Sequence, residues 1–220
     1  MKTKGLAVRK QALVRDAIFD AAIDLFIRNG FNETTIDQIA DAAGISQRSF
    51  FRYFATKADL LAYPIAAYGD VLVSAVGACA ARTDPLEVVR RAAAAGIEFS
   101  NSAPRTREII EITAQNIAAR QAHKAATVEV EIRLSEAYAA RIRNANKLGL
   151  EPRMLALLTL MVGDLAVSSW FVGQAKDPTT ALKNVFTRLM RMFCESGTLR
   201  GAKSQRHRDG AVGSHQPASR

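Results

Sequence analysis

Residues 34–61 read TTIDQIADAAGISQRSFFRYFATKADLL, and the glycine in their middle decides how the chain around them is read. Thr35-Ile36-Asp37-Gln38 matches a capping box, Thr35 as N-cap and Gln38 reaching back to it. Ile36, Ile39, Ala40 and Ala43 form the inner face of the short helix that follows, and Gly44 ends it. After a turn of only about two residues Ser46 caps a third helix, and Thr56 with Asp59 opens a fourth. Two short helices crossed steeply through a tight glycine turn are a helix-turn-helix.

On a helical wheel at about 100° per residue, Phe50, Phe51 and Phe54 fall in one arc, and Arg48, Ser49, Arg52 and Tyr53 lie opposite. The expectation is three buried phenylalanines presenting guanidinium, hydroxyl and phenol groups. Such a face suits a DNA groove, because Arg takes guanine O6 and N7 together while hydroxyls and Lys serve phosphates. The wheel alone describes the solvated face of an amphipathic helix equally well.

Outward from this unit, helical periodicity runs through almost the whole chain and strand-like alternation does not persist. Val14, Ile18, Ala21, Ala22, Leu25 and Phe26 form one stripe on a helix from Lys10 to Asn29. Gly30 stands as its left-handed terminator, with Phe31 folding back. Beyond residue 80 the helices lengthen. Asp84-Pro85 opens one to about Ser102, Pro104 starts another to about Ala119, and a long one spans roughly 121–147, ended by Gly149. Glu151-Pro152 and Asp177-Pro178 open the last two; the final helix carries Leu182, Val185, Phe186, Leu189, Met190 and Phe193, a stripe for a partner helix to cover. The expected fold is all-α with about nine helices: an N-terminal three-helix helix-turn-helix domain, then a C-terminal helical bundle. The expected divisions are a flexible basic arm (1–12), the helix-turn-helix domain (13–57), a helical domain (58–198) and a disordered basic tail (199–220).

The chain carries 30 Lys and Arg against 21 Asp and Glu, a formal charge of +9. That surplus favours polyanionic partners, and its placement says more. Lys2, Lys4, Arg9, Lys10 and Arg15 face no acid within residues 1–15, and Arg200, Lys203, Arg206, Arg208 and Arg220 are met only by Asp209. Cys79 and Cys194 stand far apart in sequence, which argues against a disulfide framework and against zinc, leaving redox sensing as a minor option. The charged N-terminus has no apolar signal segment, so the expected location is cytoplasmic. Met154 to Val172 is apolar enough to consider as a membrane span, but Asp164 at its middle is costly in lipid and no second such stretch stands out. His123, His207 and His215 neighbour no Cys or carboxylate at metal spacing, and neither a phosphate loop nor a nucleophile elbow occurs. No catalytic set, cofactor or metal is expected.

From Arg15 to Leu61 the order and spacing of residues resemble the DNA-binding domain of the TetR family of bacterial regulators. The matching pieces are Ala21-Ala22-Ile23-Asp24-Leu25-Phe26, Asn29-Gly30-Phe31, Thr34-Thr35-Ile36-Asp37-Gln38-Ile39-Ala40, Ala43-Gly44-Ile45-Ser46, Ser49-Phe50-Phe51-Arg52-Tyr53-Phe54, Lys57 and Leu60-Leu61. The helix from Arg105 onward resembles the actinobacterial subgroup near the mycofactocin regulator. The resemblance implies a phosphate contact for Thr35 and base reading by Gln47, Arg48 and Ser49, with Arg52 reading or clamping backbone. Tyr53 and Lys57 match positions that bind phosphate. Gln47 lies on the inner side of the wheel and reads DNA only if it protrudes from the first turn. Phe51 donates no hydrogen bond, which leaves an apolar contact to a thymine methyl.

The resemblance also implies ligand binding and dimerisation by the helical domain (58–198), a homodimer through residues 152–174 and 178–196, double-stranded DNA with a palindromic operator as partner, and a small hydrophobic effector. The effector pocket would lie among the helices from residue 85 to residue 174, with Phe99, Ile112, Tyr138, Met161, Asp164, Trp170 and Phe171 as candidate lining. For each of these the plainer role of filling the core or the dimer interface weighs more. Asp164 stands out, because a carboxylate within an apolar helix needs a partner. The function expected is a transcriptional repressor released from its operator by the effector. The competing readings are a non-specific DNA- or membrane-surface protein using the basic ends, and an enzyme for which no residues can be named.

Overall fold

Five helices begin at the residue after the polar side chain that caps them: Thr35, Ser46, Thr56, Asp84 and Asp177 each accept from a backbone N–H of the first turn. The computed structural model describes residues 2–103, 105–142 and 149–195. Within them the chain forms α1 (Lys2–Asn29), α2 (Ile36–Ala42), α3 (Gln47–Tyr53), α4 (Lys57–Ala62), α5 (Pro64–Ala78), α6 (Pro85–Ser102), α7 (Thr106–Gln115), α8 (Ile117–Ala139), α9 (Leu150–Phe171) and α10 (Pro178–Glu195), with no strand among the described residues. Tyr63 keeps helical dihedrals between α4 and α5. Those two therefore run almost as one bent helix, which reconciles ten elements with the nine expected.

Several boundaries differ from the sequence expectation. The backbone of α1 is helical from Lys2, so the segment taken for a flexible arm continues the first helix. Apart from Thr3, Gly5 and Val8, residues 2–12 favour helix, and they contain no proline. α7 stops at Gln115 because Asn116 turns extended and donates its side-chain N–H to the Ile112 carbonyl at 2.7 Å. α8 ends at Ala139, and Gly149 serves as the N-cap of α9 instead of terminating its predecessor. Residues 143–148, the basic tail from 199, His207 and His215 lie outside the described residues, as does the Cys194 side chain.

Two regions of core follow. In the first, Ile18, Ile23 and Phe26 of α1, Ile39 of α2, Phe50 of α3 and Leu60 and Leu61 of α4 pack together. Ile109, Ile112, Ala119 and Ala122 of α7 and α8 close this cluster from the other side. Because α4 belongs to it, the division expected between residues 57 and 58 falls inside one core. Two ties reinforce the junction: the Arg105 guanidinium meets Asp24 of α1 at 2.6 Å, and Tyr63 donates to Asp16 at 2.9 Å.

In the second region, α5, α6, α8 and α9 bury Leu72, Val88, Val89, Leu134 and Tyr138, and α10 adds Ala181 and Leu182. Val185, Phe186 and Leu189 of α10 pack within the same chain. The stripe expected to await a partner helix is therefore largely covered already. The uncovered apolar face belongs to α9, where Leu150, Met154, Leu157, Met161 and Leu165 are exposed. Among the described residues, α9 is one of two stretches long and apolar enough to cross a membrane. The other is Lys57–Ala78, unnoticed in the sequence because Tyr63-Pro64 divides it.

Candidate nucleic-acid interface

The α2–α3 unit is held by its turn and its caps. Gly44 sits at φ +67°, a conformation that costs an L residue with a side chain about 1 kcal/mol or more. At the entry, Gly30 takes φ +87°, and Phe31 folds back to set its ring 5.0 Å from Phe26. Thr34 is buried, its hydroxyl donating to the Gly30 carbonyl at 2.8 Å. The reciprocal capping box is formed as expected: Gln38 N–H donates to Thr35 Oγ1 at 3.2 Å, and Thr35 N–H donates to Gln38 Oε1 at 2.9 Å. Thr35 is exposed at the start of α2 with its hydroxyl proton uncommitted to the cap, which suits a phosphate.

On α3 the buried and exposed sides are rotated from the wheel. Phe50 is fully buried and Phe54 is 6% exposed, but Phe51 is 50% exposed. Gln47, Arg48 and Arg52 are exposed, while Ser49 and Tyr53 are half-buried. The outward face is thus Gln47, Arg48, Phe51 and Arg52, centred on Arg48. The wheel placed Gln47 and Phe51 inward because it centred the buried side on all three phenylalanines, and Gln47 falls between Phe54 and Phe51 by angle. The packing of α3 on α2 and α4 is satisfied by Phe50 and Phe54, and it leaves Phe51 outside. Ser49 accepts a hydrogen bond from the Ser46 hydroxyl at 3.0 Å, so it belongs partly to the cap. Arg52 donates to the Tyr53 hydroxyl at 3.1 Å and lies 5.0 Å from the centre of that ring. Arg48 and Gln47 have no hydrogen-bond or ion-pair partner among the described residues, so both heads are free for a ligand.

Lys57 departs from its implied role. Its ammonium donates to the carbonyls of Phe31 at 2.6 Å, Asn32 at 3.0 Å and Thr34 at 2.8 Å, and stands 4.8 Å from the centre of the Phe31 ring. All three N–H donors are spent on the loop between α1 and α2, leaving none for a phosphate. Burial pulls its pKa below the ordinary lysine value, and the charge of Glu33 pulls the other way. Lys57→Met is therefore expected to lower the stability of the folded chain by about 2 kcal/mol in urea unfolding, since one charge-assisted bond is worth roughly 1.5–3 and these carbonyls regain some water. The salt dependence of DNA binding should stay as it was. A phosphate-binding Lys57 would give the opposite pattern: unchanged stability and a salt slope lower by about 1 for each bound subunit.

The candidate effector residues do not gather in one place. Ile112 packs in the first core. Tyr138 is 2% exposed, with its hydroxyl 2.7 Å from Thr159 Oγ1, and acts as core. Met161 and Asp164 are exposed on α9, so Asp164 is not the buried carboxylate expected from its apolar flanks. Trp170 and Phe171 are half-buried near the end of α9, and the Arg107 guanidinium lies 5.9 and 5.7 Å from their ring centres. Phe99 is half-buried on α6.

Two residues outside the expected effector set do feel Asp164. Tyr68 is wedged between α6 and α9: a Cβ at Gly96 would lie 2.7 Å from its ring, and one at Gly163 2.8 Å from its hydroxyl. Burial first, and then the Asp164 charge, push its pKa up to about 12. His123 on α8 is held below its ordinary value by burial, with Asp164 opposing. Thr113 Oγ1 on α7 is buried without a partner among the described residues. Nothing in the local sequence marks Tyr68 or His123, since their meeting depends on how α5, α8 and α9 cross. No group of three or more His, Cys, Asp or Glu able to hold a metal occurs among the described residues.

Residues 18–63 match the sequence profile of the bacterial regulatory proteins, tetR family. The chain is 35% identical over 85 residues to the transcriptional regulator TcmR of Streptomyces glaucescens, covering 39% of this chain and 38% of that one. It is 45% identical over 49 residues to the Mycobacterium tuberculosis regulator MftR, named for mycofactocin biosynthesis, covering 22% and 25%. The matches thus span less than half the length of these relatives. Among solved structures, NalD of Pseudomonas aeruginosa, described as the secondary repressor of a multidrug efflux pump, is similar in fold. Its TM-score is 0.56 at 19% identity, over 83% of this chain and 96% of that one. Profile, relatives and fold converge on the helices that hold Arg48 outward: residues 18–63 form a domain similar to that of the bacterial regulatory proteins of the tetR family.

Proposed function

We propose that the chain is a DNA-binding transcriptional repressor that grips a palindromic operator as a homodimer and lets go when a small hydrophobic effector binds its C-terminal helices. The observation that carries this reading is the outward face of α3, where Gln47, Arg48 and Arg52 stand exposed on a helix anchored by Phe50 and Phe54. One seven-residue helix has too little surface to select a site alone. Two copies reading successive major grooves have enough. The exposed apolar face of α9 supports residues 152–174 as the main dimer surface, with 178–196 beside it. Contiguous apolar surface of this kind marks an interface in soluble chains. For the effector, Tyr68 and His123 supply polar groups within apolar surroundings, under the charge of the exposed Asp164, and Trp170, Phe171 and Phe99 supply aromatic walls. The place of action is the cytoplasm, and no catalytic step is assigned.

The test is selection of duplexes from a random library by the full chain. The expected product is an inverted repeat protected in footprinting. Binding that is equal on scrambled duplex and is lost with the basic ends would replace this reading by non-specific adhesion. A thermal-shift screen of hydrophobic metabolites against the same protein then looks for compounds that stabilise it and release the selected duplex.

A further inference from the structure

On the reading that α3 enters the major groove, we infer that Phe51 recognises the 5-methyl group of a thymine, so that each operator half-site contains a thymine beside the base read by Arg48. Among the described residues of α2 and α3, Phe51 is the one strongly exposed large hydrophobic side chain, at 50%, although Phe50 and Phe54 beside it are buried. It is not a loose ring. It stands edge-on to Phe50 at 5.6 Å and 90°, which fixes its direction against a side chain that cannot move without opening the core. On the helix it projects between Gln47 and Arg48, at about 40° from the first and 60° from the second. It therefore sits within the polar face, surrounded by groups that seek base edges and phosphates.

The chemistry then narrows the occupant. A phenyl ring neither donates nor accepts a hydrogen bond, so a phosphate or a guanine edge gains nothing from it. Placed in the groove without an apolar contact, it would displace water from polar base edges and leave them unpaired. The major-groove edge presents one apolar group, the thymine methyl. A second protein is a poorer occupant, because this ring is flanked by Arg48 and Arg52 and adjoins no wider apolar patch on α2 or α3.

The experiment replaces thymine by deoxyuridine, one position at a time in both half-sites of the selected operator, which removes the methyl and leaves every hydrogen-bonding group. Affinity is measured for the wild-type chain, Phe51→Ala and Phe51→Leu, with folding checked by thermal unfolding. Burying one methyl changes binding about fourfold, so at one symmetric position uracil should weaken the wild-type complex roughly fifteenfold over two half-sites. Phe51→Ala should bind thymine and uracil duplexes alike at that position, and Phe51→Leu should keep part of the preference. Uracil tolerated at every position, or an equal uracil penalty in Phe51→Ala, overturns the assignment while operator binding stands. Failure of the wild type to select any duplex overturns both this assignment and the groove reading beneath it.

Discussion

Phe50→Ala is expected to destabilise the chain by about 3–5 kcal/mol, the cost of truncating a buried aromatic and leaving its cavity. Phe50 is completely buried and its ring lies 6.0 Å from Phe54, in the cluster shared by α1, α2, α3 and α4. Seven residues of α3 have too few internal hydrogen bonds to persist alone, so the helix exists because this ring is packed. Against a native stability of roughly 5–15 kcal/mol, the loss takes a large share. Urea unfolding should show a lower midpoint, and the fraction still folded should have lost operator selectivity because α3 is no longer held at its angle. A cost below about 1 kcal/mol would mean that the ring does not occupy the core described for it.

Arg48→Ala should do the reverse, leaving stability untouched and removing recognition. Arg48 is exposed without a partner among the described residues, so its truncation breaks nothing in the fold. A bidentate arginine–guanine contact is worth about 1–3 kcal/mol, and a palindrome uses it twice. The operator complex should therefore weaken from about thirtyfold to more than a thousandfold, while binding to scrambled duplex changes little. Thermal unfolding and operator titration of the same preparation give both numbers. Equal operator affinity for variant and wild type would move base reading to Gln47 or Arg52.

These two neighbours in sequence, Phe50 and Arg48, show why parts of the interface were legible. Their types alone assign them to opposite sides of a helix, and the structure agrees. Phe51 and Lys57 were misplaced for a common reason. A helical wheel knows the period of a helix but not which elements cover it, and three phenylalanines exceed what α2 and α4 can bury. Similarly, Lys57 is a phosphate ligand by position in a pattern, yet the loop of Phe31, Asn32 and Thr34 reaches it first.

Local chemistry was enough for five of the helix starts, because a cap acts over three residues and Thr35, Ser46, Thr56, Asp84 and Asp177 each act on their own turn. It was likewise enough for the glycine turn that makes the helix-turn-helix and for setting Arg48 on the exposed side of α3. What joins residues distant along the chain was decided only by tertiary packing. Tyr68 fits between Gly96 and Gly163, Asp164 acts on His123, α10 spends its apolar stripe on its own chain, and α9 keeps a bare one. Those contacts depend on the crossing of whole helices, and no window of sequence contains that angle.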